Sequence, residues 1–174
     1  MVDASPSAAS RAFVDSLERA LLRDIGALRR EIELFPDEAM IWQTMPGIGN
    51  SAGTLALHIA GNLQHYFGAV LGGTGYRRDR DAEFSRRDVP RAEVLDQLDR
   101  GAEAVRSTLA RMEAAALQAT YPEPVGGVTL PTERFLLHLA THLAFHLGQA
   151  GYLRRALTGS AITSKAVAIG ELVP

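Results

Sequence analysis

The stretch 138–149 reads HLATHLAFHLGQ, with histidines at 138, 142 and 146, each one helical turn beyond the last. The chain has only two others, His58 and His65. Side chains four residues apart project from one face of a helix, so an HxxxH pair can bring two imidazoles to one cation, the spacing HExxH zinc proteins use. On a helical wheel Leu136, Leu139, Ala140, Leu143, Leu147 and Ala150 share an apolar sector. His146 lies nearest that sector, His142 next, and His138 tends outward, so the 142/146 pair can face a bundle interior or a cleft at its side. Two imidazoles leave a coordination shell short. His58 is the best third ligand, and it shares one side of its helix with Asn62 and His65 at steps of four and three. An HxxxH pair without the glutamate of HExxH also arises on helix surfaces by chance, and spacing alone fits a purely structural bundle as well.

The remaining chemistry is narrow. Cysteine is absent, which excludes disulfides, thiolate ligands and a cysteine nucleophile, so any thiol chemistry needs a thiol from outside. Asp81 and Glu83 sit in a charged run that can reach a site as general base or simply be a solvated loop. GGTG at 72–75 reads as a helix stop, because no strand precedes it and no GK[ST] ending follows. Ser51, Ser85 and Thr141 lack the context of a nucleophile, and Trp42 and Tyr66 read as packing residues. A formal charge of −2 gives no general attraction to nucleic acid or anionic membrane. No run approaches the roughly 18 apolar residues of a membrane span, and MVDASPSAASRAF lacks the pattern of a signal peptide. A soluble cytoplasmic protein is the expectation.

These side chains need helices to position them. Four segments carry helical periodicity and none carries convincing strand alternation, so the fold class is all-α. The first helix, about 8–34, steps through Phe13, Leu17, Leu21, Ile25, Leu28 and Ile32 and stops before Pro36. The second starts at an Asn50 or Ser51 cap and runs to about Leu71. The third begins near Pro90 and fades before Tyr121, and the fourth runs from a Thr132 cap to about Leu157. Residues 158–174 read as a tail, docked or loose. The link 72–89 is far longer than the 2–8 residues or so of an ordinary helical hairpin. It predicts a four-helix bundle with a long crossover, helices two and three running parallel, or else a lid or interface element. At 174 residues one domain is expected, with no need of metal or disulfides to be stable.

NSAGTLALHIAGNLQHYFGAVLGG with RDRDAEF, and later LLHLATHLAFHLGQAGYLRR, resemble the DinB-like superfamily of four-helix proteins from about Trp42 to Arg155. That superfamily includes metal-dependent thiol transferases that use bacillithiol or mycothiol. Its motif, one histidine in helix two and HxxxH with a trailing GQ in helix four, falls here on His58, His142 and His146 before Gly148 and Gln149. Where many relatives read HRGQ, this chain has HLGQ. The resemblance implies a single DinB-like domain over 1–174, a homodimer and a divalent ion such as nickel or zinc. The homodimer rests on the resemblance, since no stripe of exposed apolar residues marks an interface. Nitrogen ligands also favour nickel or zinc over magnesium or calcium. The combined expectation is a metal site of His58, His142 and His146, with Asn62, His65 and Gln149 around it or in its pocket. Such a site would activate a water, or a low-molecular-weight thiol whose acidic groups Arg154 and Arg155 are candidates to hold. The alternative is a non-catalytic metal- or ligand-binding module.

Overall fold

Leucine and isoleucine at three- and four-residue steps build the first long helix. In the computed structural model, which describes residues 8–173, α1 spans Ala8–Glu33 and buries Leu17, Leu21, Ile25, Leu28 and Ile32. It ends ahead of Pro36. α2, Ala52–Leu63, is capped by Ser51, whose hydroxyl accepts the Thr54 N–H at 3.1 Å. Every residue of α2 is buried, the signature of a helix surrounded by others.

α2 continues into a π-helical segment, Gln64–Leu71, a rare form that recurs at functional sites. There the Phe67 carbonyl accepts both the Gly72 N–H at 2.8 Å and the Thr108 hydroxyl at 3.0 Å. α3, Arg80–Ser85, lies inside the charged link, capped by Asp79. The third and fourth predicted helices are α4, Arg91–Ala110, and α6, Thr132–Thr158. A short α5, Ala114–Gln118, lies between them. There are thus six α-helices among the described residues and no strand, only two isolated bridges. Sequence periodicity missed α3, because one or two turns are too short to display an apolar stripe, and it ran the third helix on towards Tyr121 where the structure breaks it after Ala110 into α4 and α5. The predicted Thr132 cap is replaced by Pro131, and the Thr132 hydroxyl donates instead to the Ala119 carbonyl at 3.0 Å.

The long helices form a ring in which α1 touches α4 and α6, and α2 touches the same two. Along the α2 side, Ala60 faces Gly101, Gly68 faces Ala104 and Gly72 faces Thr108, so α2 with its π segment runs parallel to α4. His58 meets His142 while Tyr66 meets Phe135, so α2 and α6 run antiparallel.

The tail is docked through residue 173. Arg30 Nε donates to the Ser164 carbonyl at 2.8 Å and Arg19 to the Val173 carbonyl at 3.1 Å. Arg154 is fully buried, ion-paired to Glu31 of α1 and donating to the Ile162 carbonyl. Gly151 makes room for that pair, since a Cβ there would lie 3.0 Å from Glu31 Oε1. Arg154 is therefore a structural cation and is not available to a ligand, a correction to its candidate role.

A second correction concerns α6. Its outward face exposes Leu137 (49%), Phe145 (62%) and Tyr152 (75%), with Thr141, Ala144 and Gly148 between them. This is an uncharged stripe more than four turns long. The histidines interleaved with it hid it from periodicity. No helix among the described residues is long and apolar enough to cross a membrane.

Candidate metal centre

His58 comes from the middle of α2, His142 and His146 from the middle of α6. Antiparallel packing brings them together, with one ligand nitrogen from each inside a 4.8 Å cluster. His142 Nε2 lies 3.0 Å from His146 Nε2 and 3.3 Å from His58 Nε2. The three rings stand nearly perpendicular to one another.

What lies behind the rings sets their tautomers. His58 Nδ1 lies 3.0 Å from Glu83 Oε2, and His146 Nδ1 lies 2.7 Å from Gln149 Oε1. Both oxygens accept, so each Nδ1 carries the proton and each Nε2 turns a lone pair inward. Carboxylate or carbonyl behind imidazole is the arrangement that orients histidine ligands in metal proteins. His142 Nδ1 is buried without a partner, and its Nε2 faces the other two. Converging lone pairs repel unless a proton or a cation lies among them. Three neutral nitrogen donors suit a borderline metal ion, so this donor set fits the divalent cation expected from the sequence.

Burial favours the neutral form of His142 and His146. Burial, with the neighbouring His146, His58 and His138 and the Arg78 charge, pushes the His142 pKa down to about 4. Burial and His58 also lower His146, against the opposing hydrogen bond to Gln149. Burial works to raise the Glu83 pKa, but hydrogen bonds from Arg78 and His58 outweigh it and hold the carboxyl below its usual range. Glu83 is thus an ionised acceptor, gripped by Arg78 Nε at 2.7 Å and Nη2 at 2.8 Å.

Glu83 reaches this position because α3 lies directly on α2. A Cβ on residue 61 would sit 2.0 Å from Glu83 Oε1, so only glycine admits the carboxylate. The general-base role considered for Glu83 does not fit, since both its oxygens are committed. Asp81 is exposed. Arg78 escaped the sequence reading altogether. The signal that could have revealed this element is Asp79 ahead of Asp81 and Glu83, an N-cap followed by an acidic first turn.

The other candidates are dispersed. Asn62 is buried one turn from His58, its Oδ1 unpartnered. His65 instead directs Nε2 to Glu123 at 2.8 Å. The polar strip 58/62/65 presumes one helical period, and the switch to π geometry at Gln64 changes the register of His65. His138 is exposed and stacks on Phe135 and His142. Arg155 lies over the Tyr152 ring at 4.8 Å.

No curated protein and no solved structure matches the sequence. The family profile of the DinB superfamily matches residues 20–150, a span that contains α2, α3, α4 and all three clustered histidines. With that match over most of its length, the chain belongs to the DinB superfamily.

Proposed function

We propose that the protein is a metal-dependent enzyme in which His58, His142 and His146 hold a divalent cation, nickel or zinc, leaving at least one position open. The observation that carries this reading is the convergence of three imidazole Nε2 atoms, two of them with Nδ1 fixed from behind by Glu83 and Gln149. When bound, such a cation supplies a Lewis acid that lowers the pKa of a water or thiol in its open position.

The chain's own residues prepare that position. Glu83 and Gln149 hold two rings in the metal-binding tautomer, and Arg78 keeps Glu83 ionised. Burial keeps His142 neutral, so protons do not compete for its nitrogen at neutral pH. Three protein ligands among the described residues support a catalytic site over a structural one, which a fourth would close. The reactant activated is a water or a small external thiol, since the chain has no thiol of its own.

We place two copies of the chain together through the uncharged outer stripe of α6. Thr141, Ala144 and Gly148 at its centre allow close helix approach.

Elemental analysis of protein purified without a histidine tag tests the site. Near-stoichiometric nickel or zinc, lost in His146→Ala, is the expected result, and metal retained in that variant would refute it. A cobalt-substituted sample titrated with low-molecular-weight thiols separates the two chemistries. Intense sulfur-to-cobalt absorption with one thiol, absent in His58→Ala, supports thiol transfer, and no change with any thiol moves the assignment to water.

A further inference from the structure

Adjoining Gln149, the residue behind the His146 ring, is a cleft of about 440 Å³ between the turn at 45–50 and the C-terminal half of α6; none of the three histidines is among its lining residues. Its walls include Met45, Ile48, Leu55, Gln149, Tyr152 and Leu153, and none of the residues lining it is charged. Met45 and Ile48 are exposed and lie outside the α6 stripe, so their apolar surface is available for a ligand to cover. The volume lies within the range of about 300–1,000 Å³ typical of small-molecule pockets.

Gln149 joins the cleft to the histidines. Its Oε1 accepts from His146 Nδ1 at 2.7 Å, which leaves the amide nitrogen as the polar end of that side chain free to meet a ligand. Asn50 adds a second carboxamide to the wall.

We infer that this cleft binds an uncharged, largely apolar small molecule with a hydrogen-bond acceptor for Gln149, and that the bound molecule acts on the histidine site through Gln149 and the His146 ring. The inference rests on the metal-dependent reading above for that effect on the histidine site, and on the cleft alone for the ligand class. Arg155 is engaged on the Tyr152 ring and is not among the lining residues, so an anionic ligand would lose its hydration among uncharged walls. An acidic thiol cosubstrate therefore has no counter-charge within these walls.

A matched pair of dyes tests the ligand class. N-phenyl-1-naphthylamine and 8-anilino-1-naphthalenesulfonate share a skeleton and differ by one sulfonate. Titrated by fluorescence into the metal-loaded protein, the neutral dye is expected to bind at one site per chain and the sulfonate about tenfold more weakly or worse. Ala156→Trp fills the cleft from an exposed helix position, and Ile48→Asp puts a charge in its wall. Both variants should lose about tenfold or more in affinity for the neutral dye while keeping the parent's metal content.

Equal binding of the two dyes, or affinity for the neutral dye unchanged in both variants, overturns the inference. So does failure of the neutral dye to bind, with Ala156→Trp converting a dimer to a monomer, which would assign the cleft to a second copy of the chain. In cobalt-loaded protein, a saturating neutral ligand that carries a carbonyl acceptor, 6-propionyl-2-dimethylaminonaphthalene, should shift the visible absorption through Gln149, and an unmoved spectrum would sever the cleft from the histidine site. Neutral-dye binding in protein that retains no metal would leave the ligand class standing and remove the metal-dependent reading.

Discussion

Glu83 Oε2 accepts a hydrogen bond from His58 Nδ1 at 3.0 Å, joining a short helix in the charged link to the centre of the most deeply buried helix. The carboxylate is held in turn by two nitrogens of Arg78. A segment that looks like a solvated run of charge thereby fixes the orientation of one imidazole in the cluster.

Glu83→Gln keeps the shape of that contact and removes its charge. Apparent affinity for zinc or nickel should fall by about 10- to 100-fold, the usual cost of losing the group behind a histidine ligand. Competition against a chromophoric chelator measures it. An unchanged affinity would mean that Glu83 serves packing alone.

Gly61→Ala should act at the same point from the other side. Alanine is the better helix former by up to about 1 kcal/mol, yet its Cβ would overlap Glu83 Oε1, so a net destabilisation of about 1–3 kcal/mol is expected. Metal affinity should fall with it. In a Glu83→Ala background the same substitution should cost much less, because the two residues touch. Urea unfolding of the four proteins in the cycle gives the coupling, and simple additivity would contradict the proposed contact.

The pH dependence of metal-free protein follows from His142, His146 and Glu83, the two histidines acting in the same direction. His142 has its pKa depressed from 6.5 to about 4 when folded, so between those values the unfolded chain binds a proton that the folded chain refuses. Stability from this group is fully present above about pH 6.5 and is lost as pH falls toward 4. Glu83 is depressed below 4.5, so its contribution is present above that value and is lost at still lower pH. Denaturation midpoints should therefore fall in two windows on acidification. His142→Leu should make the upper window shallower, with the remainder due to His146, and leave the lower one.

The outer stripe of α6 predicts a dimer that one charge can break. Ala144→Arg places a long cation at the centre of that face, pointing to solvent in the single chain. Light scattering should give twice 18.7 kDa for the parent and 18.7 kDa for the variant, with metal content unchanged. A parent mass of 18.7 kDa at micromolar concentration would dispose of the dimer.

By itself the sequence determined the class of the fold and the residues worth watching. Apolar residues at three- and four-residue steps dictate the long helices, because only a helix gathers Leu17, Leu21, Ile25 and Leu28 onto one face. HxxxH places His142 and His146 one turn apart within a single helix, a local relation that spacing alone conveys. His58 was also legible as their partner, from its place on the second helix and from the family motif. That His65 turns away to Glu123 was decided by tertiary structure, through antiparallel packing of α2 on α6 and a π segment starting at Gln64. The same holds for Glu83 and Arg78, which approach His58 across 25 and 20 residues of chain and only because residue 61 has no side chain. Arg154 teaches the converse, since an arginine near a helix end reads as solvent-exposed until Glu31, 123 residues away, is folded against it. Periodicity reports which face of an element is apolar; what lies opposite that face depends on contacts between distant segments, which no local pattern encodes.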